Sequence, residues 1–329
     1  MSAFRDPVFG GTYGVSKTGK TTDTLYSFPG AFYLAPPGAL KPSVHVVGFD
    51  VPEAHCYDPK SVPDAVKKLK EIANKRCPHC GHVFTQAVVD DFSLLCELSF
   101  ALLETARGLS GWKLWGALAD EVLDFRDTGR RLGIHVFVNM HERAPAIVSG
   151  VSQRGGPKLP GKLPESFPAA CDIILRAAAG AAGGVIGGVG KTGWGNVYRC
   201  NPMDASWVTG DRHGVTPDNA PMNLAEILRA AGYDVARAPG LEWMDAAVEM
   251  LAGVFANGGA GSDATNLQQA GPWLLQQMVA MPAYVPLTAT LAGQRLIGLH
   301  ARWVIRDAYD RAILLRARMN PLAMFGVTI

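Results

Sequence analysis

The chain lacks the features that would mark several large protein classes. It contains no run approaching the ~18–20 apolar residues of a membrane span. Its opening, Met1-Ser2-Ala3-Phe4-Arg5-Asp6, has no apolar centre of the kind a secretory signal needs. A cytoplasmic protein with no membrane partner is the expectation. Cysteine is scarce, with six in 329 residues, which excludes a disulfide scaffold and makes clustered cysteines read as metal ligands. There is almost no charge imbalance. A net charge of +2 supplies no overall field for nucleic acid, so any such binding must come from local patches. What is present is globular: 48% hydrophobic and 18% charged residues, enough for one large domain with an appendage or for two domains.

The most specific feature is Gly14-Val15-Ser16-Lys17-Thr18-Gly19-Lys20-Thr21, a complete G-x-x-x-x-G-K-[ST] phosphate-binding loop. Such a loop aims backbone N–H groups at one point, at the start of a helix, where the phosphates of a nucleotide are held. Lys20 would bridge the phosphates and Thr21 would ligate Mg²⁺. Gly14 to Thr21, with Thr22 just inside the helix, are therefore the candidate nucleotide-binding residues. The flanks agree, with a short strand over 8–13 and a helix beginning at 22 and closed near Gly30. A second Gly-Lys-Thr, at Gly190-Lys191-Thr192, has its first glycine out of register and reads as a hairpin tip.

Short, largely apolar segments at 31–35, 44–49, 84–89 and 134–139 read as buried strands. Helical patterns at 94–107 and 112–131 alternate with them, which implies a parallel sheet with right-handed crossovers. Segments 172–176, 196–199 and 206–208 read as successive antiparallel strands. Asn223 and Glu226 form a capping signature for a helix over 224–231. Further helices are expected over 241–257, 267–281 and 287–319. The domain expectation is a core over 1–238, interrupted by an insertion at 50–82, and a helical region over 239–329.

A nucleotide site needs a metal anchor and a group that positions water, both at the ends of neighbouring strands. Asp90 and Asp91 end an apolar strand. Asp90 would hold Mg²⁺ through water; Asp91 would either polarise the attacking water or cap the following helix. His141 and Glu142 end the next strand, as a γ-phosphate sensor or as ordinary strand-end residues. Arg212, in Gly210-Asp211-Arg212, is a charge donor to a γ-phosphate, in its own subunit or a neighbour, or else part of a surface turn.

The order of these motifs resembles the phage RecA-like ATPases of single-strand annealing and recombination. The matching residues are Gly14 to Thr21, Val88-Val89-Asp90-Asp91, Val138-Asn139-Met140-His141-Glu142-Arg143, Gly155 to Pro164, Gly210-Asp211-Arg212 and Asn223 to Leu228. The resemblance covers about residues 5 to 235. It implies an α/β fold with a RecA-like P-loop core, a mostly parallel sheet with antiparallel edge strands, and here a C-terminal helical extension. It also implies ATP with Mg²⁺, self-association into a ring or filament, single-stranded DNA as partner, a single-strand-binding protein as a further partner, and residence in the bacterial host cytoplasm. The alternatives are an ATPase motor or helicase loader acting on a protein partner, and a nucleotide-binding assembly protein with little hydrolysis.

The segment 143–168 is rich in proline and glycine and too long for a passive connector. It carries Arg154, Lys158 and Lys162 as candidate DNA-binding residues, since a basic, glycine-rich loop can follow a phosphate backbone without reading bases. RecA-like proteins use the loop at this position in that way. Phe167 is its one aromatic residue. Trp112 and Trp115 read either as core or as stacking faces from a second loop. Cys77-Pro78-His79-Cys80-Gly81-His82 has the tight C-x₂-C turn of half a zinc site. Cys56, His55 or His82 would complete a structural Zn²⁺ centre with Cys77 and Cys80; the alternative is a pair of reduced cysteines.

Overall fold

The computed structural model describes residues 7–36, 38–47, 51–78, 81, 83–148, 150–179, 196–233, 235, 243–257 and 263–319. The chain divides into two compact units, the first ending at Met222 and the second beginning at Asn223.

The first unit is built on a sheet. Its strands are β1 (Phe9–Gly14), β2 (Phe32–Leu34), β3 (Cys56–Tyr57), β4 (Gln86–Asp90), β5 (His135–Arg143), β8 (Gly156–Pro157), β9 (Ile173–Ala179), β10 (Asn196–Arg199), β11 (Gly210–Asp211) and β12 (Ala220–Pro221). A separate hairpin joins β6 (Ala146–Val148) to β7 (Val151–Gln153). The helices are α1 (Lys20–Ser27), α2 (Lys41–Val47), α3 (Val62–Ile72), α4 (Phe92–Thr105), α5 (Gly111–Arg131) and α6 (Leu163–Ala170).

The strand order is β12-β10-β9-β1-β5-β4-β2-β3. The pairs from β9 through β3 are parallel, while β10, β11 and β12 add antiparallel edges and β8 pairs antiparallel with β5. This is the mixed α/β architecture expected of a RecA-like core. Its centre explains the apolar runs: Ala87, Val88 and Val89 of β4 and Val136, Phe137 and Val138 of β5 are all buried, as parallel strands covered on both faces must be. The register brings Gly14 beside His141 and Asp90 beside Asn139. The ends of β1, β5 and β4 thereby converge at one edge of the sheet.

Several expectations are corrected. Residues 44–47 do not form a strand, and 48 and 49 lie outside the described residues: Lys41–Val47 is helix α2, with Pro42 in its first turn, where a missing N–H costs little. A short apolar run cannot by itself distinguish a strand from a buried helix. The described residues of the 50–82 segment are woven into the sheet unit. Its β3 pairs with β2, and α3 is capped by Ser61 and buries Val62, Ala65, Val66, Leu69 and Ile72 on one stripe. The 143–168 segment is not irregular, since it forms the β6–β7 hairpin, β8 and α6. Strand β9 pairs antiparallel with β10 as expected but also runs parallel to β1, and of residues 206–208 only Trp207 makes a bridge, to Gly155. The second Gly-Lys-Thr lies outside the described residues.

The second unit contains α7 (Leu224–Ala230), α8 (Trp243–Asn257), α9 (Asp263–Ala280) and α10 (Leu291–Met319). It begins earlier than residue 239 because α7 is tied to α10. The Asn223 side chain donates to Asp307 at 2.8 Å and Asp310 at 2.9 Å, and Arg311 donates to Glu226 at 2.7 Å. No helix among the described residues is long and apolar enough to cross a membrane.

Candidate nucleotide-binding site

The phosphate loop leaves β1 at Gly14 and enters α1 at Lys20. Lys17 and Gly19 both adopt left-handed backbone, at φ 68° and 91°. Alternating backbone hand of this kind turns successive N–H groups toward one centre and makes an anion cradle. The loop is braced from outside the cradle, since Asn196 of β10 donates to the Thr18 carbonyl at 2.8 Å and Thr18 Oγ1 donates to Val15 O at 2.9 Å.

Lys20 is folded back onto this loop. Its ammonium donates to the carbonyls of Gly14 at 2.9 Å and Val15 at 3.0 Å. Burial lowers its pKa, against the opposing pull of Asp90, Asp91 and Glu142. Thr21 Oγ1 donates directly to Asp90 Oδ2. A hydroxyl and a carboxylate in contact at the mouth of a phosphate loop are the donor set that Mg²⁺ takes from such a site. The residues therefore fit Mg-ATP.

Asp90 is the more deeply placed acid. Burial raises its pKa, while hydrogen bonds from Thr21 and Asn139 work the other way. Asn139 Nδ2 reaches Asp90 Oδ2 at 3.2 Å and Thr24 Oγ1 at 3.0 Å, and its Oδ1 accepts from Thr12 at 2.7 Å. One carboxamide thus links β1, α1, β4 and β5. Asp91 has two contacts: Oδ1 accepts from the Ser93 and Leu94 amides and caps α4, and Oδ2 lies 2.6 Å from His141 Nε2. Asp91 therefore caps α4, and its second oxygen stays beside His141.

Glu142 is largely buried and accepts from Arg176 Nε at 2.8 Å. The Arg176 guanidinium lies 3.5 Å from the centre of the Trp207 ring. Arg212 is elsewhere. It donates its backbone N–H to Asp172 O and pairs with the Asp172 carboxylate at 3.3 Å, while Asp172 itself bonds Phe9. This is the start of β1 and β9, about 15–20 Å along the strands from their phosphate-loop end. Arg212 has no access to a nucleotide in its own loop.

Of the three basic residues expected on DNA, Arg154 is committed to the carbonyls of Asp204 and Trp207. Lys158 is exposed, with a loose 3.6 Å pair to Glu97 and its amide bonded to His141 O. Lys162 is exposed and lies 5.3 Å over the Trp112 ring. Phe167 is buried in the core against Phe9 and Phe92. Of the zinc candidates, Cys80 and His82 lie outside the described residues, Cys77 is part of the apolar core, and Cys56 is half-buried on β3. Among the described residues no group of three or more His, Cys, Asp or Glu is placed to hold a metal.

Asn139 and Arg176 are the residues that motif reasoning missed as site members. Asn139 lies in the matched segment 138–143, where a polar side chain inside an apolar strand is the available signal. Arg176 similarly interrupts the apolar strand Ile173–Ala179.

No curated protein matches the sequence. Among solved structures, the crystal structure of the RadB recombinase is similar at 18% identity, over 54% of this chain and 78% of that one, with a TM-score of 0.35. The AAA domain family AAA_24 matches residues 9–213, which hold the phosphate loop, Asp90 and the Asn139–Glu142 strand end. The chain is therefore a P-loop ATPase that belongs to this AAA domain family.

Proposed function

We propose that this chain is a Mg-ATP-dependent, RecA-like recombination protein that binds single-stranded DNA and promotes annealing as an oligomer. The observation that carries the nucleotide half is the meeting of Lys20, Thr21, Asp90 and Asn139 at the ends of β1, β4 and β5. Bound Mg-ATP supplies the phosphoryl group to be transferred. With Mg-ATP bound, Lys20 would hold phosphate oxygens in place of the Gly14 and Val15 carbonyls, and Thr21 and Asp90 would hold the metal. Asn139 keeps Asp90 in place through that exchange. Asp91, fixed by the amides of α4, accepts a proton from the attacking water at Oδ2, beside His141. Arg212, remote from its own loop, serves a neighbour's nucleotide.

The DNA half is supported by position. Lys158 is hydrogen-bonded through its backbone to His141, so the strand end beside the nucleotide and the basic segment are one covalent and hydrogen-bonded unit. Replacing Lys158 and Lys162 together by Ala is expected to weaken single-strand binding and reduce the slope of log K against log salt by about 1–2. An unchanged slope in a fluorescence titration would remove this segment from the DNA-binding surface.

A second reading, an ATPase motor or helicase loader acting on a protein, is favoured by one observation. The helical unit exposes Met250 and Val254 on α8 and Trp273, Leu275 and Val279 on α9. Stimulation of ATP turnover by single-stranded DNA, rather than by a protein partner, discriminates the two.

A further inference from the structure

A cleft of about 400 Å³ opens between the start of α5 and the Pro160-Gly161-Lys162 turn. Trp112 and Trp115 form one side, with Pro160, Gly161 and Leu163 opposite. Trp112 is 80% exposed, more than any other aromatic side chain among the described residues. An indole left in water at this level is an unusual use of a large apolar surface. The cleft is firmly built nonetheless. Leu114 and Leu118 anchor α5 in the core, and Leu159 and Leu163 anchor the two ends of the turn. Trp115 rests on Phe100, with ring centres 4.5 Å apart. Gly161 has φ 58°, and a Cβ there would lie 2.4 Å from the Trp115 ring. Only glycine permits that approach.

The charge of the cleft narrows what enters it. Lys162 is the sole ionisable residue among the described residues that line it, and its ammonium lies 5.3 Å over the Trp112 ring. A flat aromatic wall beside one unopposed cation suits a ligand that is planar and apolar on its faces and anionic next to them. A nucleotide unit in a single strand has this composition.

We infer that the Trp112–Lys162 cleft seats one nucleobase of a bound single strand, stacked on the Trp112 indole, while Lys162 moves from the ring to the adjacent phosphate. The inference rests on the single-strand reading above and refines it: the contact is to a base face and tolerates any base, instead of following phosphates alone. It also locates the aromatic platform that Phe167, buried in the core, cannot supply.

The test compares two probes at low salt, a thymidine oligonucleotide and a fully abasic strand of the same length and charge, on the full-length protein. The wild type is expected to bind the thymidine strand on the order of tenfold more tightly than the abasic strand, with quenching of tryptophan emission. Trp112→Ala should remove most of that discrimination and quenching, and Trp112→Phe should restore part of it. Because Trp112 is mostly in solvent, its truncation leaves the core intact, which a thermal melt checks. Equal wild-type affinity for both strands would overturn the cleft assignment while leaving single-strand binding standing. Discrimination that survives Trp112→Ala would likewise move the base contact elsewhere. Failure to bind either strand would overturn the single-strand reading and the cleft assignment together, and would leave the groove to a protein side chain.

Discussion

Two buried polar clusters, one in each unit, use the same chemistry to opposite ends. At the sheet edge, Asn139 supports Asp90, whose remaining partner is the Thr21 hydroxyl. In the helical unit, Asn223 caps α7 through its oxygen while its nitrogen bonds Asp307 and Asp310, and Arg306 pairs with Asp310 at 3.5 Å. The first cluster is held by partners that a nucleotide and its metal can replace. The second is closed on itself. A buried carboxylate is costly in either place, and the difference lies in what the cost supports: an exchangeable site at the sheet edge, and the docking of α7 onto α10 among the helices.

The comparison can be broken most sharply at Asp90. Asp90→Asn should lower ATP turnover by about 100-fold or more, the scale of losing one electrostatic anchor of a transition state. It should also raise the melting temperature of the nucleotide-free protein, since an amide avoids the burial cost that raises the Asp90 pKa. A loss of turnover accompanied by a lower melting temperature would mean that Asp90 is structural. Next in size, Asn223→Ala removes a cap and two donors from a side chain that is fully buried, and should destabilise the helical unit by roughly 2–4 kcal/mol in denaturant unfolding. Loss of under ~0.5 kcal/mol would show that the cluster does not fix α7.

The last effect is on pH. Burial raises the Asp310 pKa from 3.8 to about 7, against Arg306 and the Asn223 hydrogen bond, with Asp307 and Glu226 adding to the rise. The folded form thus keeps a proton that the unfolded chain has already lost. This group's contribution should fall as pH rises from about 4 to about 7 and level off above that. Asp310→Asn should flatten that part of the stability profile, and an unaltered profile would assign the dependence to other groups.

Local features were legible in the sequence and convergent ones were not. The phosphate loop, the Asp91 cap of α4 and the Asn223 cap of α7 each depend on residues two to seven positions apart, and each was readable. Asn139 was not, because its role is defined by Thr12, Thr24 and Asp90, from three other elements. Helix α2 escaped because 44–49 is apolar in both periodicities, and the 143–168 segment because its prolines suit a loop and equally the first turn of α6 at Pro164. Trp112 and Trp115 were readable as core or surface with equal ease. Only the packing of α5 against the 159–163 turn separates them, leaving Trp115 against Phe100 and Trp112 in solvent.

The central claim is that the 14–21 loop grips a nucleoside triphosphate whose magnesium is shared by Thr21 and Asp90. Equilibrium binding of a fluorescent ATP analogue, with and without Mg²⁺, to the wild type, Lys20→Ala and Asp90→Ala tests it directly. The account predicts tight, Mg²⁺-dependent binding by the wild type, a large loss with Lys20→Ala, and loss of the Mg²⁺ dependence with Asp90→Ala. Wild-type-like binding by Lys20→Ala, or Mg²⁺ dependence that survives Asp90→Ala, would contradict it.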